Sequence, residues 1–332
     1  MTDPITIAGS PGSPYTRKML AVLRYRRLPY VFVPIARARE TLPQPKVALL
    51  PTFYFDGAPV TDSTPIIRRL EAAYPDRRIV PADPALALID ALIEDYGDEW
   101  LTKAMFHYRW SYAADIRKSA EVLPNWHSGP LDNDALAVMG KAFADRQIAR
   151  LAYVGSNAVT GPVIEDSYRR LLTILDAHLA HHRFLLGDRP APCDFALYGQ
   201  LTQLALFDPT PMALATEIAP RVVAWSIFVE DLSGEDATGW LNADALPATL
   251  GALLREIGRT YVPLLLANAQ AVTGGAERVT AQIDGRDWEQ APFPYQAKCL
   301  KALRDHYALL DGAARATVDT VLAGTGCEAL FA

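Results

Sequence analysis

The sequence predicts an α+β chain, a short mixed unit of strands and helices followed by a long, mainly helical remainder. Two observations carry this. Strand-like and helical runs alternate up to about Pro75, and from Ala85 onward apolar residues recur at helical spacing between glycine- and proline-containing joints. A third observation is the stretch from Ala48 to Tyr74, where a hairpin signal runs straight into a helix. Asp56-Gly57 is the turn, with Phe53 to Phe55 on one side and Pro59 to Asp62 on the other. Ser63 offers a hydroxyl cap, Pro65 sits in the first turn, and Ile66, Ile67, Leu70 and Ala73 form an apolar face.

Two details of that stretch read in two ways. Pro51, directly after Leu50, is either an edge-strand proline or a cis-proline that brings backbone to a ligand. Asp62-Ser63 is either an ordinary helix start or a point where carboxylate, hydroxyl and free helix amides hold the charged end of a small zwitterion.

The chain has 332 residues, 50% hydrophobic and 21% charged, with a net charge of −6. That length supports two or three domains, and the acidic balance gives no reason to expect a nucleic-acid partner. Cys193, Cys299 and Cys327 are far apart and odd in number, so neither a disulfide framework nor a zinc site is indicated. The N-terminus lacks a signal-peptide pattern, and the longest apolar runs, such as Val262 to Ala267, are too short for a bilayer. A cytoplasmic protein with no membrane partner is expected.

In order, Ile5 to Ala8 is a first strand, and Gly9 to Pro14 a turn. A helix spans about Tyr15 to Arg27, Tyr30 to Ile35 is a second strand, and Arg37 to Lys46 is a loop or short helix. With the hairpin and its helix, a β-α-β half is followed by a β-β-α half, which matches a thioredoxin-like arrangement. Arg77 to Pro84 is the best boundary. Helices are then expected over Leu86–Leu101 (amphipathic), Tyr108–Leu123, Ala135–Leu151, Val163–Ala180, Asp194–Phe207 and Arg221–Asp231. A polar break covers Asn125 to Asp134, and Asp208 to Pro211 is a joint. The tail offers helices over Leu246–Gln270, Tyr295–Leu310 and Ala313–Leu322, and a hairpin over Val279–Trp288 turning at Asp284-Gly285. The expected units are 1–80, 85–232 and a mainly helical extension, 240–332, packed on the second. His178, His181 and His182 lack a fourth ligand and read as a solvated helix end rather than a metal site.

Taken together, these residues resemble the cytosolic glutathione transferase family. Ser10 to Lys18 is similar to that family's loop into its first helix, Leu50-Pro51 to its cis-proline site, and Asp62-Ser63 to its acidic-Ser pair. Phe184 to Tyr198 is similar to its helix-capping segment, except that Ala191 stands where a Ser or Thr is usual. The resemblance covers residues 4 to 231. It implies a thioredoxin-like glutathione-binding domain, an all-α helical domain, a homodimer, and glutathione as cosubstrate with no metal.

On that resemblance Ser13 is the expected thiolate stabiliser and Ser10 the alternative. Thr16 occupies the second position of a redox pair, so dithiol exchange is not expected. Leu50 and Pro51 would hold the cysteinyl part of glutathione, and Asp62 and Ser63 the γ-glutamyl end. One of Arg37, Arg39 and Lys46 would meet the glycine carboxylate. Tyr15, Tyr108, Trp110 and Trp126 are candidates to line a pocket for a small hydrophobic electrophile, attacked by conjugation or by ether or halide cleavage. The alternative is a protein of the same fold that binds glutathione or another ligand without turnover.

Overall fold

The computed structural model describes residues 3–332, and of His127 the backbone alone. Met1 and Thr2, on which the expected first unit begins, lie outside the described residues.

The N-terminal part runs β1 (Ile5–Gly9), α1 (Pro14–Tyr25), β2 (Tyr30–Pro34), α2 (Ile35–Thr41), β3 (Thr52–Phe55), β4 (Ala58–Val60) and α3 (Ser63–Ala73). Its strands form one sheet in the order β2-β1-β3-β4, with β1 and β2 parallel and the other pairs antiparallel. This is the thioredoxin-like arrangement that the strand and helix order predicts. Side-chain alternation along the strands makes the sheet two-sided. Ile7 and Phe53, paired across β1 and β3, share a core with Met19 of α1 and Ile66 and Leu70 of α3. Ala8 and Tyr54 turn to the other face, against Ala38 of α2. Asp56 and Gly57 both have positive φ, 52° and 78°, as a two-residue type I′ hairpin requires.

Register decides where a site can form. β1 ends at Gly9, β3 starts at Thr52 opposite Ala8, and β4 ends at Val60. The loop into α1, the segment entering β3 and the start of α3 therefore meet at one end of the sheet.

The middle of the chain is helical: α4 (Pro84–Glu99), α5 (Leu101–Ser111), α6 (Ala113–Ser128), α7 (Asn133–Ile148), α8 (Gly161–Leu179), α9 (Pro192–Leu204), α10 (Pro209–Ile218) and α11 (Pro220–Phe228). Three expectations need correcting. The single helix expected over Tyr108–Leu123 is two, because Tyr112 is extended (φ −109°, ψ 133°) while its hydroxyl bonds Glu165 of α8. The polar break expected from Asn125 begins only after Ser128, since the buried Leu123 and Pro124 anchor that end of α6. The joint expected at Asp208–Pro211 opens a helix, α10. Pro209 takes a first-turn position where its missing N–H is no loss, and Asp115 of α6 accepts from Thr210 N at 3.0 Å.

Every residue of α9 is buried, because this helix lies between α1 and α4. Gly199 permits the approach, since a Cβ there would stand 2.6 Å from the Pro14 carbonyl oxygen. The Asp194 carboxylate accepts from Ala191 N and Leu185 N, both at 2.9 Å, so it orders the turn without the missing hydroxyl. Burial pushes its pKa up to about 7.

The tail forms α12 (Ala248–Gly274), the hairpin β5 (Val279–Ile283) and β6 (Arg286–Gln290), α13 (Pro294–Ala308) and α14 (Gly312–Leu322). α12 packs on α8 and α4, and α13 and α14 pack on α4. Arg170 of α8 holds Glu256 of α12 at 2.7 and 2.9 Å, and Trp288 of β6 lies 5.4 Å from Trp100 between ring centroids. Among the described residues no helix is long and apolar enough to cross a membrane. The tail also changes α4, which the sequence presents as amphipathic. The polar side of α4 has no solvated stripe: Asp90, Glu94, Asp98 and Glu99 are each 8% exposed or less.

Glycines of α12 separate docking from helix propensity. A Cβ on Gly258 would stand 2.0 Å from the Thr325 carbonyl oxygen, whereas on Gly251 it would meet nothing nearer than Arg255 Nη1 at 3.6 Å. Urea unfolding is expected to show Gly258→Ala destabilised by about 1–3 kcal/mol. The same measurement should find Gly251→Ala neutral or more stable by up to about 1 kcal/mol.

Candidate functional site

Ser13 is the N-cap of α1. Its Oγ accepts from Thr16 N at 3.2 Å, and Pro14 follows in the first turn. An oxygen that accepts still carries one O–H that can donate, here at the positive end of the helix. Ser13 is partly exposed, whereas Ser10, the alternative, is 0% exposed and its Oγ has no hydrogen-bond partner among the described residues.

The loop before Ser13 is clamped from the helical side. Arg109 of α5, 3% exposed, donates to the Gly12 carbonyl at 3.2 Å, to both carboxylate oxygens of Asp208 and to Gln203 Oε1 at 2.7 Å. Gln203 Nε2 in turn donates to the Pro11 carbonyl at 3.4 Å. Burial raises the Asp208 pKa and Arg109 opposes it. The sequence alone does not point to Arg109, since no local pattern marks a residue that acts across 97 positions.

Leu50-Pro51 is a cis peptide, with Leu50 partly exposed and Pro51 buried. Asp62 has φ 82° and ψ 115°, a conformation rarely adopted by a residue with a Cβ, and its side chain makes no cap bond. Ser63 is therefore not the cap that the sequence suggests, but the first residue of α3. Its Oγ accepts from Lys18 Nζ at 3.1 Å. Lys18, 1% exposed, also donates to Glu94 Oε1 at 2.7 Å and Asp98 Oδ2 at 2.6 Å. Burial alone would lower the Lys18 pKa, yet Asp98 and Glu94 raise it, so the ammonium stays charged. Burial pushes Asp98 up to about 7 despite Lys18, with Glu94 adding to the rise.

The tail reaches this point as well. Tyr295 of α13 donates to Asp62 Oδ2 at 2.7 Å. Beside it lies a cavity of about 220 Å³ lined by Asp62, Glu94, Asp95, Lys298 and Cys299 among others. A larger cleft, about 580 Å³, opens at Leu50 between α2, β3, α6 and α7. Of the three cations proposed for a glycine carboxylate, Arg39 lines it, and Arg37 and Lys46 do not.

The aromatic candidates do not converge. Tyr15 donates to the Asp98 carbonyl at 2.7 Å and is committed to α4. Tyr108 and Trp110 are 1% and 2% exposed, Tyr108 stacked with Tyr112 and Trp110 packed with Leu123 and Ala144, because α5 turns both inward. Trp126 alone stands by the loop, next to Gly12 and 5.2 Å from Phe207 between ring centroids. His178 bonds Thr249 Oγ1 at 2.8 Å and the Phe184 carbonyl at 3.2 Å, and burial lowers its pKa to about 4. It is 1% exposed, not at a solvated helix end. Among the described residues no three His, Cys, Asp or Glu side chains are grouped to hold a metal ion.

Two outcomes test this arrangement. Lys18→Met strands two carboxylates and is expected to cost about 3–5 kcal/mol in urea unfolding. The second concerns Glu99, which accepts from Gln296 Nε2 at 3.2 Å and whose carboxyl is pushed up to about 8 by burial, with Asp95 and Asp98 adding to it. The unfolded chain ionises this group near pH 4, so its stabilising effect is full below that pH and is lost as pH rises toward 8. Thermal unfolding should show stability falling from about pH 5 to about pH 8, and Glu99→Gln should flatten that fall.

Residues 8–78 match the family model for the glutathione S-transferase N-terminal domain. No curated protein matches the chain. Among solved structures, a poplar glutathione transferase is 18% identical, covering 69% of this chain and 92% of its own, with a TM-score of 0.41. A Methylobacterium radiotolerans glutathione S-transferase, solved with glutathione sulfonate, is 18% identical over 74% of this chain and 100% of its own, at 0.43. A Drosophila melanogaster glutathione transferase is 21% identical over 69% and 87%, at 0.42. The chain resembles the glutathione S-transferase family, most specifically through the thioredoxin-like part at its N-terminus.

Proposed function

We propose that this protein binds glutathione at the sheet end where Ser13, Leu50-Pro51 and Asp62-Ser63 meet, and acts there as a transferase. The observation that carries the reading is the partly exposed Ser13 hydroxyl at the head of α1, whose oxygen accepts from Thr16 N at 3.2 Å and whose one O–H can still donate to a ligand. A thiol of ordinary pKa, about 8.5, is mostly protonated at neutral pH. A hydroxyl donor and a helix N-terminus both favour the thiolate. A tenfold gain in the thiolate-to-thiol ratio corresponds to about 1.4 kcal/mol of preferential interaction with the anion. The thiol proton passes to solvent, the sulfur attacks a small hydrophobic electrophile, and a halide or alkoxide leaves with the bonding pair where the electrophile carries one.

In this reading the Leu50 backbone pairs with the cysteinyl part, Asp62 and Ser63 take the γ-glutamyl end, and Arg39 meets the glycine carboxylate. Lys18 and Arg109 are positioning residues: one orients Ser63, the other the Gly12 carbonyl. A second reading, a protein of the same fold that binds glutathione or another ligand without turnover, draws on Tyr295, whose bond already engages the Asp62 carboxylate that a productively held γ-glutamyl amine would need.

Ser13→Ala is expected to return the bound thiol pKa toward about 8.5 and to lower kcat by about 100-fold. Both are read from a pH titration of thiolate absorbance and from turnover of an activated aryl halide. Full activity with an unchanged thiol pKa would remove Ser13 from the mechanism. Calorimetric glutathione binding with no turnover across an electrophile panel would favour the second reading.

A further inference from the structure

The cleft at Leu50 carries a charge signature that glutathione alone does not use up. Met139, Ala142, Phe143, Arg146, Gln147 and Arg150 recur at steps of three and one along α7, so one side of that helix and the residues just beyond it face the cleft. Arg39 comes in from α2 on the opposite wall. No Asp or Glu lines the cleft, in a chain whose net charge is −6. Among the described residues none of these three arginines has a carboxylate partner in an ion pair. The Arg146 guanidinium lies 5.3 Å above the Phe143 ring centroid, and Ile35, Leu49, Leu50 and Met139 supply apolar wall.

Three guanidiniums without a carboxylate partner around a cleft of about 580 Å³, with apolar wall on one part and Gln44, Thr52 and Gln147 on another, describe a particular occupant. A guanidinium is a permanent cation whose planar fork matches a carboxylate or sulfonate. A cleft that pairs an apolar wall with a few convergent polar groups suits a flat organic molecule of modest size. We propose that the cleft takes an aromatic organic anion as second ligand, its ring against Phe143 and Leu50 and its charged group on Arg146 and Arg150, with Arg39 left for the glycine carboxylate. This names the acceptor class, and it rests on the reading of the Leu50 end as the glutathione site. The uncharged analogue of such an acceptor loses the charge-assisted hydrogen bonds and keeps only the apolar contact.

The test uses the full chain and two matched pairs. Binding is measured by calorimetry with nitrobenzoate and nitrobenzamide, which do not react. Turnover is measured with a chloronitrobenzoate and its amide, in which the glutathione sulfur replaces chloride on the ring. Nitrobenzoate is expected to bind at least about tenfold more tightly than the amide, since a charge-assisted hydrogen bond is worth that much. In Arg146→Gln/Arg150→Gln that preference should shrink to about twofold or less. Equal affinities in the native protein, or a preference that survives in the double variant, would overturn the proposal. Selective nitrobenzoate binding with no turnover of either chloride supports the anion site and counts against the transferase reading. Turnover of the amide with no carboxylate preference does the reverse.

Discussion

One ammonium ties the two halves of this molecule to its candidate site. Lys18 Nζ sits between α1, α3 and α4, within hydrogen-bond distance of Ser63, Glu94 and Asp98, and has almost no contact with water. A buried cation is tolerated only when carboxylates neutralise it, and these carboxylates are tolerated only because it is there. Remove either side and the other becomes an unpaired charge in a poor solvent. Ser63 at the start of α3 is joined to α1 and α4 through this four-residue network.

The same logic of burial with compensation governs the loop before Ser13. Its carbonyls at Pro11 and Gly12 are received by Gln203 and Arg109, and Arg109 is itself neutralised by Asp208. Helices of the second part thus set the loop geometry of the first. Ser13 is left as the one residue at that helix start whose hydroxyl is both oriented by an amide and open to a ligand. Rigid support under a small reactive group is what pre-organised chemistry needs.

Local physics makes much of this legible. The hairpin turns at Asp56-Gly57 and Asp284-Gly285 need positive φ and are written in their residues. The alternation of strands and helices up to Pro75 is enough to predict a thioredoxin-like sheet, and the weak motifs around Ser13, Pro51 and Asp62 fall at one sheet end because register puts them there. What escapes are effects set by distant partners. Tyr112 is extended between two helices, with its hydroxyl on Glu165 of α8, and Ser63 is the first residue of α3 rather than its cap, after an unusual backbone at Asp62. Tyr108 and Trp110, aromatic and helical, give no sign of which way α5 faces, and both go to the core. Arg109 and Tyr295 carry no signal at all without the fold, since their partners lie across the chain.

The central claim is that Ser13, Leu50-Pro51 and Asp62-Ser63 hold one tripeptide in one orientation. A crystal structure of the protein grown with glutathione tests it most directly. The predicted result places the sulfur within hydrogen-bond reach of Ser13 Oγ, the cysteinyl backbone against Leu50, and the γ-glutamyl carboxylate on Ser63. Glutathione bound elsewhere, or bound here with its sulfur turned away from Ser13, would contradict it.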